Sequence, residues 1–83
     1  MAYKNSKIRV VIVDDSPFMR KIIGDILNSD KDIEVISTAK NGKEGIEIIK
    51  QLKPDVVTMD IEMPIMNGLE ALEKIMKTNP VPI

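Results

Sequence analysis

The sequence contains no cysteine, no histidine and no tryptophan, and none of its apolar runs is long. Without cysteine there is no disulfide, no thiol nucleophile and no zinc–thiolate site. Without histidine there is no imidazole base, no Ser-His-Asp triad and no His-ligated metal. A metal held by this chain must therefore be a hard cation bound through oxygen. The longest apolar stretch, Val10-Val11-Ile12-Val13, falls far short of the roughly 20 residues of a membrane-spanning helix. Residues 1–7 carry no apolar segment behind their charges, unlike a secretory leader, so the expected compartment is the cytoplasm. A surplus of charge is lacking too. Twelve Lys+Arg face 13 Asp+Glu, a net charge of −1, and neither nucleic acid nor a membrane is an expected partner.

What is present is an 83-residue chain, 43% hydrophobic and 30% charged, the composition of one small globular domain. Residues 1–7 read as a flexible lead-in. Ile8-Arg9-Val10-Val11-Ile12-Val13 is a β-branched run closed by Asp14-Asp15, the pattern of a strand buried on both faces. Ser16 and Pro17 then give an N-cap and a first helical residue, and Phe18, Ile22, Ile23, Ile26 and Leu27 follow as one apolar helical face. A second strand is expected over residues 33–39; its imperfect alternation suits an edge. Asn41 opens a second helix with Ile46, Ile49 and Leu52 on one face, despite the cost of about 1 kcal/mol for an interior Gly45. Lys53-Pro54 ends it. Val56-Val57-Thr58-Met59 is a third strand closed by Asp60, and Leu69, Leu72, Ile75 and Met76 mark a third helix. Val81-Pro82-Ile83 reads as the start of a fourth strand. Strand–helix alternation predicts a parallel α/β sheet with right-handed crossovers.

Two acidic clusters share one structural address: Asp14-Asp15 follows the first strand and Asp60 the third. Open parallel sheets bind ligands beyond the carboxyl ends of their strands. One acid after a strand is commonly a solvated loop residue, but if the first and third strands are neighbours all three converge. Two carboxylates about 5 Å apart repel by roughly 3 kcal/mol at an effective dielectric near 20. A cation relieves that repulsion, and Mg²⁺ suits oxygen ligands that leave room for water or a phosphoryl group.

Val13-Asp14-Asp15-Ser16 and Met59-Asp60-Ile61-Glu62-Met63-Pro64-Ile65-Met66-Asn67-Gly68 resemble the two hallmark motifs of response-regulator receiver domains. The resemblance runs from about Lys7 to Ile83. Ser16-Pro17-Phe18-Met19-Arg20 and Asn67-Gly68-Leu69-Glu70 are most like receivers of the chemotaxis protein-glutamate methylesterase family, with stand-alone chemotaxis receivers the rival. It implies a flavodoxin-like fold with strand order 2-1-3-4-5, and a regulatory phospho-acceptor, not an enzyme, of two-component signal transduction. Asp60 would accept a phosphoryl group from a histidine kinase or a small acyl phosphate. Asp15 directly, Asp14 partly through water, Asp60 and the backbone carbonyl of Glu62 would hold Mg²⁺. Pro64 and Gly68 would shape the loop behind the acceptor. Met19 and Arg20 stand where the family's partner surface on the first helix begins.

The sequence departs from the family in extent. It supplies three βα units and the start of a fourth strand, without the family's hydroxyl residue after strand four or lysine after strand five; Lys53, Lys74 and Lys77 lie on the wrong elements. The expectation is a truncated receiver with impaired phosphorylation that folds as a homodimer, a second copy covering the open sheet face or edge. A structural or engineered half-domain that only self-associates is the alternative. A phosphohydrolase using Asp60 as nucleophile fits less well, because Glu62 stands where such enzymes typically carry a second aspartate.

Overall fold

Six elements follow one another as β1 (Ile8–Val13), α1 (Pro17–Asn28), β2 (Ile33–Ala39), α2 (Gly42–Leu52), β3 (Val56–Met59) and α3 (Gly68–Thr78). The computed structural model describes residues 7–60, 68–78 and 80–83, with only the backbone of 68 and 69, so most of the expected lead-in lies outside the described residues. The strands form one parallel sheet in the order β2-β1-β3. This is the flavodoxin-like α/β arrangement expected from the sequence, with β1 central and β2 at an edge. Central position explains composition: Val10, Val11, Ile12 and Val13 are all buried, because a middle parallel strand is covered on both faces.

Val11, Val13 and Val57 join Ala39, Ile49, Ala71, Ile75 and Val81 in one core beneath α2 and α3. α1 packs on β1 and β2 across the opposite face, with Gly24 over Ile12. β2 carries a bulge: Val10 pairs with Val35 but Val11 pairs with Ser37, skipping Ile36. Ile36 and Ala39 can thus both pack on the α2 side although three residues apart, which is why the alternation is imperfect.

The helix ends follow their cap chemistry. Ser16 Oγ accepts from Met19 N–H, Pro17 occupies the first helical turn, and Asn41 Oδ1 accepts from Glu44 N–H. α2 stops at Lys53, whose φ of 48° is left-handed. Arg9 holds that end, donating from Nη1 to the Lys53 carbonyl at 2.9 Å and from Nη2 to the Leu52 carbonyl at 2.7 Å.

Three expected helix faces are corrected. α1 buries no residue fully: Ile22, Ile23 and Leu27 are half-buried, whereas Phe18 and Ile26 are 71% and 64% exposed. At 3.6 residues per turn Phe18, Ile22 and Ile26 form a separate stripe, turned toward the helix flank from Ile23, Gly24 and Leu27. α2 buries Ile49 but leaves Leu52 exposed at its last turn. α3 seats Ala71 and Ile75, four apart, in the core and exposes Leu72 and Met76. Residues 81–83 are not a strand, although Pro82 takes the Val57 N–H on its carbonyl at 2.9 Å and Val81 is buried. Among the described residues no helix is long and apolar enough to cross a membrane.

Candidate functional site

The register of β1 against β3 decides what meets at the end of the sheet. Val13 pairs with Met59, so Asp14 and Asp60 stand side by side one step past the paired strands. The backbone continues that alignment: Asp60 N–H donates to Val13 O at 2.9 Å, and Asp14 N–H donates to Ala39 O at 3.0 Å across β2. Asp14, Asp15 and Asp60 each offer a carboxylate oxygen within 4.8 Å of the other two. Asp14 and Asp60 are half-buried and Asp15 is exposed, so the cluster opens to solvent on one side.

Local turn chemistry orders the first two acids. Asp14 Oδ1 accepts from Ser16 N–H at 2.9 Å, the turn that an aspartate two residues before a helix start makes readily. The Asp14 carbonyl accepts from Arg20 Nη1 at 2.7 Å. α2 supports the site from below. A Cβ on Gly45 would lie 3.0 Å and 3.2 Å from the two Val13 methyls, so glycine lets the helix press on the residue that precedes Asp14.

The donor set is all oxygen, as Mg²⁺ demands. Octahedral Mg²⁺ at about 2.1 Å from its ligands keeps bound oxygens within about 4.2 Å of one another. Separations of up to 4.8 Å therefore need only a small inward rotation of the side chains to fit the ion. The sequence had paired these three carboxylates, and the structure brings them together. Glu62, with Met63 and Pro64 beside it, lies outside the described residues. Gly68 opens α3. The bond from Arg20 to Asp14 was not foreseen; a cation in the first turn of a helix, where the dipole disfavours it, is the signal that pointed there.

Comparison with known proteins agrees with this geometry. The family model described as "Response regulator receiver domain" matches residues 10–83. The chain is 62% identical over 78 residues to the protein-glutamate methylesterase/protein-glutamine glutaminase of Methanococcus maripaludis, covering 94% of this chain and 21% of that protein. The protein of the same description from Pyrococcus abyssi is 55% identical over 83 residues, covering 100% of this chain and 23% of its own length. The chain thus spans about a fifth of the curated relatives it matches. Among solved structures, the response regulator domain of Thermotoga maritima CheB superposes with a TM-score of 0.89 at 55% identity, over 90% of this chain and 56% of that one. The CheX-CheY-BeF3-Mg+2 complex from Borrelia burgdorferi matches with a TM-score of 0.84 at 37% identity, over 89% of this chain and 56% of that one. On its sequence, its fold and the site at the end of its sheet, this chain belongs to the response regulator receiver domain family.

Proposed function

We propose that this chain is a phospho-accepting receiver module of chemotaxis-type two-component signalling, regulatory in its own right and working in the cytoplasm. The observation that carries the reading is the meeting of Asp14, Asp15 and Asp60 within 4.8 Å at the carboxyl end of the sheet. A Mg²⁺- and BeF3-bearing receiver among the similar structures supports it.

In this reading Asp15, Asp14, Asp60 and the backbone carbonyl of Glu62 hold Mg²⁺. Mg²⁺ bound there would supply charge neutralisation at the phosphoryl oxygens and the acceptor carboxylate. An Asp60 carboxylate oxygen attacks phosphorus, the bond from phosphorus to the phosphohistidine nitrogen of a kinase breaks, and an aspartyl phosphate forms. With a small acyl phosphate the leaving group is the carboxylate. Asp14, pinned at its N–H, its carbonyl and Oδ1, orients the site without reorganising during transfer.

The test is incubation with a small acyl phosphate and Mg²⁺, followed by peptide mapping. A phosphoryl adduct on Asp60 that vanishes in Asp60→Asn is expected. An adduct that survives the substitution contradicts the assignment.

The alternative reading is an association module, favoured by the exposed stripe of Phe18 and Ile26 on a helix that buries no residue fully. Here a second copy pairs along the α1 face to form a homodimer. Asp15→Ala separates the two readings: it abolishes Mg²⁺ affinity under the first and leaves any weak binding unchanged under the second.

A further inference from the structure

Arg20 stands where a helix least favours a cation. It lies in the first turn of α1, a turn without an acidic residue, near the positive end of the helix dipole. The residue is half-buried and its guanidinium spends one N–H on the Asp14 backbone carbonyl at 2.7 Å. That bond closes a set. The Asp14 N–H is fixed by Ala39, its Oδ1 by Ser16 N–H and its carbonyl by Arg20, while the Arg20 N–H caps Ser16 O at 2.9 Å. The Asp14 carbonyl belongs to the peptide that carries Asp15, so Arg20 sets the plane from which that exposed side chain departs.

We infer that Arg20 is a positioning residue for the divalent site, holding the Asp14–Asp15 peptide so that Asp15 faces Asp60 before the ion arrives. The inference rests on the receiver reading above. It assigns Arg20 to the site and not to a partner surface on α1. Groups that orient metal ligands from behind typically change affinity by 10–100-fold when removed.

Charge and positioning predict opposite signs here, which makes the inference testable. Removing a cation near a Mg²⁺ site by electrostatics alone tightens binding. Removing a ligand-orienting bond weakens it. The experiment measures Mg²⁺ affinity by calorimetry, and exchange of the Ser16 amide bonded to Asp14 Oδ1 without Mg²⁺, in the 83-residue chain and three variants. Arg20→Met keeps the aliphatic stem and loses the donor. Arg20→Lys keeps one donor, which is all the structure uses. Lys21→Ala removes the same charge one residue along, from the exposed pair with Asp25.

The expected result is Mg²⁺ binding weakened about tenfold in Arg20→Met with faster exchange of the Ser16 amide, which the Asp14 side chain holds, largely restored in Arg20→Lys and unweakened in Lys21→Ala. Equal or tighter binding in Arg20→Met overturns the inference while the receiver reading stands, as does an equal loss in Lys21→Ala. Absence of Mg²⁺ binding in the unsubstituted chain overturns the receiver reading and this inference with it. Should Arg20→Met not fold, Arg20→Lys decides: binding close to that of the unsubstituted chain supports the inference, and unchanged exchange with a tenfold loss of affinity contradicts it.

Discussion

Thr58 is the residue whose side chain is least at ease in the sheet. Its Oγ1 is buried and finds no hydrogen-bond partner among the described residues, although it lies on β3 only two positions before Asp60. A buried hydroxyl without a partner forfeits its hydration for nothing in return. Thr58→Val keeps the β-branched shape and should raise stability by about 1 kcal/mol, read from urea melts at unchanged m. A loss of stability would show that the hydroxyl has a partner after all. The acids two steps further on were legible in the sequence because a strand ending in carboxylates needs only its neighbours' register to become a cluster. Arg20 was not: its bond to Asp14 spans six residues around a helix start, a distance no periodicity encodes.

The elements owe their ends to local chemistry and their rotation to the sheet. Ser16-Pro17 and Asn41 were readable as helix starts because a cap is satisfied within three residues. The orientation of α1 was not readable. Its apolar residues are spread around enough of the helix for two faces to compete, and Ile23, Gly24 and Leu27 rather than Phe18 and Ile26 turned inward. The bulge at Ile36 was equally hidden, since only pairing with β1 reveals it. Gly45 illustrates how packing overrides propensity. An alanine there gains about 1 kcal/mol of helix preference, but its methyl meets Val13 Cγ2 at 3.0 Å, a buried side chain on a strand fixed from both sides. Overpacking of this kind costs about 1–3 kcal/mol, so Gly45→Ala should be destabilised by about 1 kcal/mol net in thermal or urea unfolding. A stabilised variant would mean that α2 can lift from the sheet freely.

At the scale of the molecule, one sheet face carries a core shared by two helices and the other carries α1 alone among the described helices. Phe18 and Ile26 extend an apolar stripe outward from α1. In the isolated 83-residue chain this stripe is expected to drive reversible self-association, measured by sedimentation, and Phe18→Glu with Ile26→Lys should return the chain to monomers. A monomeric parent chain at high concentration would contradict that expectation. The same α1 begins at the acidic cluster, so the exposed stripe and the site share one helix. The central claim is that Asp14, Asp15 and Asp60 act as one divalent-cation site, and the most direct measurement is an amide NMR titration of the chain with Mg²⁺ beside Asp15→Ala. Selective shifts at Asp14, Asp15 and Asp60 that disappear in Asp15→Ala are the predicted result. A dispersed spectrum that ignores Mg²⁺, or shifts that persist in Asp15→Ala, would contradict it.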